Sequence, residues 1–142
     1  MPETHAAPSW SLETRLALSL FLLRLGVFVV MVMWALDKLL NPGHAAAVWE
    51  NFYLIGGLAP VFLAFVGVAQ LLLLLAFLAG VAKRWTYGAV LLLHGVSTLS
   101  SWKQYLGFDS LLFFAAWPML AACVALYLLR DQDRLLTLPR DR

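Results

Sequence analysis

The sequence predicts an all-α membrane protein, a bundle of four transmembrane helices with a short interfacial helix in its first outward loop. Three observations predict it. Of 142 residues, 63% are hydrophobic and 13% charged, against roughly a quarter charged in a soluble domain. The apolar residues gather into four runs, over residues 15–40, 60–82, 85–102 and 110–129, each near the length of about 20 residues that one helical crossing needs. The charged residues lie mostly at the ends of those runs, so a water-facing exterior cannot be assembled from them and the lipid bilayer is the expected solvent.

Residues 1–14 form a polar N-terminal segment carrying acids and prolines rather than a basic stretch, so they do not resemble a secretory signal. The apolar run that follows is too long for a signal core and lacks a small-residue cleavage site, so it is expected to stay in the mature protein. Asn41-Pro42-Gly43 stops the first helix. Residues 44–54 are aromatic and moderately apolar but too short to span; they predict an interfacial or re-entrant helix with Trp49 and Tyr53 at headgroup level. Gly56-Gly57 ends it, and Pro60 suits the first turn of the second crossing.

The second run is broken only by Gln70. The third is the most polar, holding His94, Ser97, Thr98, Ser100 and Ser101, and in lipid it must turn that face inward. In the fourth, small residues (Ala115, Ala116, Ala121, Ala122, Ala125) together with Gly88 on the third favour close helix approach. Trp117-Pro118 predicts a kink, because proline removes a backbone hydrogen bond. The membrane domain thus covers residues 15–130, and the tail 131–142 is expected to be a solvated helix extension at the membrane surface.

With four crossings, Arg15, Lys83, Arg84, Arg130, Arg134, Arg140 and Arg142 share one side, and only Lys38 and Lys103 take the other. Seven against two sets both termini in the cytoplasm by the positive-inside rule, with the first and third loops facing periplasm or extracellular space; the expected location is the inner (cytoplasmic) membrane. The net charge of +2, without a basic run interleaved with aromatics, excludes a nucleic-acid partner. Cys123 is the only cysteine, which excludes an internal disulfide and a cysteine-built metal site. His5, His44 and His94 are too dispersed to suggest a haem or metal ligand set, and no serine has an activating base at motif spacing, so no catalytic residue is assigned.

Arg24 is the most informative single residue. It lies nine residues into the first run, about 13 Å deep at 1.5 Å per residue, where a charge costs at least ~2.5 kcal/mol. Either it snorkels toward headgroups or satisfies itself on neighbouring polar groups, or it serves a ligand. No acid in the sequence is expected at that depth. Gln70 and His94 reach nearly the same level, which predicts a polar layer of Arg24, Gln70 and His94. At 100° per residue, Tyr87, His94, Thr98, Ser101 and Tyr105 share one face of the third helix. Lys38 returns to within some 40° of the Arg24 face. The candidate ligand-binding set is therefore Arg24, Lys38, Gln70, His94, Thr98 and Ser101, with no metal ligands. Asp37, Lys38, Glu50, Lys103 and Asp109 are expected near one mouth, either as an ion-pair network or to collect a polar substrate.

The run RLGVFVVMVMWALDKLL, with Arg24 and Lys38 at a characteristic interval, resembles the first helix of the DoxX family of small four-helix membrane proteins. Gly57, Pro60, Gln70, Gly80 and Arg84 likewise fall on that family's second-helix pattern. The resemblance covers residues 15–130. Ala35 and Gln70 stand where the family often has glycine and glutamate, which leaves a hydrogen bond from Arg24 to Gln70 in place of an arginine–carboxylate pair. The resemblance implies an accessory subunit of a quinone-linked membrane redox system, not catalytic by itself, holding a quinone or lipid-like ligand and working with protein partners or as a homo-oligomer. A structural or assembly scaffold, and a small transporter or channel, are the alternatives.

Overall fold

The computed structural model describes residues 9–138, and all of their regular structure is helical. α1 (Leu12–Leu40) opens on a side-chain cap: Ser11 Oγ accepts from the Thr14 N–H at 3.2 Å. Glu13 in the first turn and Lys38 in the last complement the helix dipole. Its 29 residues make it about 43 Å long, more than the hydrocarbon thickness of about 30 Å. Pro42 cannot continue the α1 ladder but suits a helix start, so α2 (Pro42–Tyr53) begins directly after it. α3 (Pro60–Leu78) starts in the same way on Pro60. It ends in a tight turn through Gly80, whose φ of +66° is the left-handed region glycine reaches without strain.

α4 (Lys83–Ser100) is followed by two 3₁₀ turns, Trp102–Tyr105 and Leu111–Ala115, and then by α5 (Ala116–Leu128). Trp117-Pro118, expected to kink the fourth helix from within, lies at the start of α5 instead. The chain changes from 3₁₀ to α at Ala116, which places Pro118 in the first turn of α5, where a missing N–H breaks no ladder bond.

Three helical stretches are long and apolar enough to cross a membrane: Leu12–Leu40, Pro60–Leu78 and Leu111–Leu128. α4 does not meet that criterion, because Lys83 and Arg84 at its start, together with His94 and the hydroxyls, lower its hydropathy. α1 packs on α3 and α5, α3 on α4, and α4 on α5, while α2 lies across α1 and α3 and reaches α4. On α1 the buried positions are Leu20, Arg24, Val27, Met31, Ala35 and Lys38, the three-and-four spacing of one inward stripe. Opposite it, Leu22, Val29, Met33 and, on α3, Phe65 are exposed apolar side chains. Such a surface fits lipid rather than water.

The α1–α3 contact is tightest at Gly67, where an added Cβ would lie 3.1 Å from both the Ala35 carbonyl and the Leu39 side chain. Gly26, in contrast, faces open space. Gly67→Leu is expected to destabilise the fold by about 1–3 kcal/mol through overpacking, while Gly26→Ala stays neutral or gains up to about 1 kcal/mol from helix propensity. Reversible unfolding in mixed micelles measures both.

Candidate functional site

The polar residues of the interior fall into two separate groups. At the end of the assembly where α1 and α4 begin, Arg24 is fully buried and is met by an acid from the tail. After α5 the chain makes two turns over residues 129–132 and folds back, which brings Asp133 into the interior, also fully buried. Arg24 Nη1 donates to Asp133 Oδ2 at 2.8 Å and to Tyr87 Oη at 3.2 Å. Tyr87 Oη donates to the same carboxylate oxygen at 2.6 Å. Arg24 Nη2 donates to the carbonyls of Leu135 at 2.6 Å and Leu136 at 3.3 Å. Lys83 Nζ donates to the Asp133 carbonyl, and the Leu138 N–H donates to the Ala79 carbonyl at 2.9 Å. Residues 129–138 thus form a strap across this end.

Three expectations are corrected here. The tail is not a helix: over its described residues it is turns and irregular backbone, mostly exposed but with Asp133 inside. Arg24 does not hydrogen-bond Gln70. It does not form a layer with His94 either. Side chains on a helix lean toward its N-terminus, so the long guanidinium group ends well short of the depth of its own Cα, at the level of Tyr87, one turn into α4. Arg140 and Arg142, like His5, lie outside the described residues.

The second group lines a cavity of about 780 Å³ at the opposite end, beneath α2. Lys38, Gln70, His94, Thr98 and Ser101 all contribute to its wall, so five of the six candidate residues come together and Arg24 alone stands elsewhere. The remaining wall is largely apolar, including Val27, Met31 and Trp34 of α1, Trp49 and Phe52 of α2, and Met119 and Ala122 of α5. Its edge includes side chains exposed on the outer surface, among them Leu23 and Val30 of α1 and Leu112 beside α5. The cavity therefore opens sideways between α1 and the 3₁₀ entry to α5.

His94 Nε2 donates to the Ala116 carbonyl at 3.0 Å, the residue at which α5 begins. Thr98 Oγ1 donates to the His94 carbonyl at 2.8 Å. Tyr105 Oη donates to the Thr98 carbonyl at 2.9 Å, and burial raises the pKa of that phenol above its ordinary value, so it stays a neutral donor. Lys38 Nζ donates to the Trp34 carbonyl at 2.9 Å, while half-buried Gln70 makes no hydrogen bond to a described residue. At the mouth, Asp37 pairs with His44 at 2.8 Å rather than with its neighbour Lys38. Among the described residues no three histidine, cysteine or acidic side chains come together to hold a metal, and Cys123 is buried in the core. Sequence reasoning missed Asp133, although an intramembrane arginine with no acid at its depth was itself a sign that one must arrive from outside the helices. Compared with family models, curated proteins and solved structures, the chain finds no match.

Asp133→Ala is expected to destabilise the protein by about 3–5 kcal/mol, since it strands a buried guanidinium. Arg24→Met with Asp133→Leu recovers most of that loss. A double-mutant cycle on unfolding in mixed micelles measures the coupling.

Proposed function

We propose that this chain crosses the inner membrane four times with both ends in the cytoplasm, and that it holds a lipid-soluble amphiphile of quinone type in the cavity beneath α2. It does so as an accessory subunit of a membrane redox system of the DoxX kind. Four crossings are supported by α4, whose 18 residues extend about 27 Å with Leu92, Val96 and Leu99 exposed outward and the polar seam turned in. Orientation is supported by the excess of Lys and Arg on the strap side.

The observation that carries the ligand reading is the shape of the cavity. It has the size of a small-molecule site, for which about 300–1,000 Å³ is usual. Its walls are mainly apolar, with a few polar groups at fixed positions, and it opens among exposed apolar side chains on a flank that the proposed orientation puts in the outer leaflet. A ligand entering there comes from the bilayer, puts its ring or head beside Lys38, Gln70 and His94, and keeps its tail between α1 and α5. The site residues are then Lys38, Gln70, His94, Thr98 and Ser101, and Arg24 has a structural role.

The test is a titration with a short-chain quinone in micelles, followed by tryptophan fluorescence, since Trp34 and Trp49 line the cavity. Saturable quenching is expected from the wild type. Gly26→Phe, which builds a ring into the open space at the cavity wall, is expected to weaken binding at least tenfold while leaving the unfolding midpoint nearly unchanged. Quenching that does not saturate, or that Gly26→Phe leaves unaltered, removes this reading.

A further inference from the structure

We infer that, within the quinone-type class proposed above, the cavity favours a head group that donates a hydrogen bond, the reduced form or another phenolic or alcoholic hydroxyl, over one whose oxygens can only accept. The inference rests on the reading of the cavity as a ligand site, and it follows from where the hydrogens of the α4 wall already go. A hydroxyl has one hydrogen to give. Thr98 gives its hydrogen to the His94 carbonyl at 2.8 Å, Ser100 to the Ser97 carbonyl at 2.9 Å, and Ser101 to the Ser97 carbonyl at 3.0 Å. Back-bonding of this kind is the usual way for a helix in an apolar setting to satisfy such side chains. It leaves oxygen lone pairs as the remaining capacity of those groups. Turning a hydroxyl toward a ligand would only exchange one hydrogen bond for another.

His94 has the same polarity. The Ala116 carbonyl can only accept, so the His94 nitrogen beside it, Nε2, carries the hydrogen. In the neutral ring Nδ1 is then bare and acts as an acceptor. Nδ1 has no hydrogen-bond partner among the described residues and is not one of the enclosed unpartnered atoms. Thr98 Oγ1 also lies 3.3 Å from His94 Nε2 and can accept from it, and Ser97 is the one cavity-lining hydroxyl of α4 whose hydrogen goes to no described residue; the α4 wall therefore offers more acceptors than hydrogens. The donors sit across the cavity: the Lys38 ammonium, with one N–H committed to the Trp34 carbonyl, and the Gln70 amide. A hydroxyl head satisfies both sides, giving its hydrogen to His94 and accepting from Lys38 or Gln70. A head with only ether or carbonyl oxygens leaves His94 Nδ1 unmatched and finds a single uncommitted hydroxyl hydrogen on the α4 side, that of Ser97.

The probes are para-octylphenol and its methyl ether, which share a tail and differ at the head in one hydrogen replaced by methyl. Each is titrated into the purified full chain in micelles by tryptophan fluorescence, with Gly26→Phe as the reference for partition into detergent. The phenol is expected to bind about tenfold tighter or more, the worth of one hydrogen bond. His94→Leu should bring the phenol down to the affinity of the ether. His94→Gln, which keeps an N–H for Ala116 and an acceptor oxygen, should preserve the difference. Equal affinity of the two probes for the wild type overturns the inference and leaves the ligand site standing, whereas no saturable binding of either probe or of the quinone overturns both. A difference that survives in His94→Leu overturns the assignment to His94. Should His94→Leu fail to fold, the wild-type comparison and His94→Gln decide.

Discussion

The buried pair of Arg24 and Asp133 is the constraint on which the arrangement of this chain depends. A guanidinium inside an apolar assembly needs a counter-charge, and both groups are fully buried at 2.8 Å. Meeting that need fixes the path of the strap, because Asp133 can reach Arg24 only if the chain reverses after α5. The reversal fixes other groups in turn. Gly80 must be glycine for a second reason besides its φ, since a Cβ there would come within 2.6 Å of Thr137 in the strap. Leu136 takes a left-handed conformation at φ 49°, at a cost of about 1 kcal/mol or more, because its carbonyl and that of Leu135 turn toward Arg24. The side chains of Leu136 and Leu138 remain exposed, so the strap is held chiefly by polar contacts and not by burial of its own apolar groups.

Much of the fold was legible in the sequence because lipid imposes few solutions. The helices of α1 and α3 follow from run length, the end of α1 from Asn41-Pro42-Gly43 and the start of α3 from Pro60, and α2 from an aromatic segment too short to span; the stop at Gly80 was not read, since the expected run continued to residue 82. Pro118 was misread because the expectation assumed that the helix began before it. The 3₁₀ segment Leu111–Ala115 moves the α-helical start to Ala116 and turns a helix breaker into a first-turn residue. Periodicity does not distinguish 3₁₀ from α over so short a stretch.

The candidate site was legible for a related reason and failed at one residue for another. Gln70, His94, Thr98 and Ser101 reach less far than arginine, so the position of each Cα on its helix already indicates the cavity it lines, and Lys38, though long, turns back to the Trp34 carbonyl of its own helix. Arg24 has a long one, and reasoning from Cα level put it with Gln70 and His94. The seam on α4 is likewise real as a face, but it serves two purposes. Tyr87 belongs to the Arg24 network, while His94, Thr98 and Ser101 belong to the cavity. Asp133 was out of reach of periodicity altogether, since its position depends on a reversal that no repeat encodes.

The separation of the two polar groups also bears on what the cavity can be. A solute path across this protein would have to continue from the cavity past Tyr87 and Arg24 to the strap side. Along that line Arg24 and Asp133 are fully buried, Tyr87 is 1% exposed, and all three are bonded to one another. Passage would require an ion pair to break in an apolar interior, which typically costs several kcal/mol when one charge is left alone. A lipid-facing opening needs no such event, because the ligand enters and leaves on the same side. The pair that holds the strap therefore favours the proposed closed-ended binding site over a transport route, because it keeps the strap side of the interior shut.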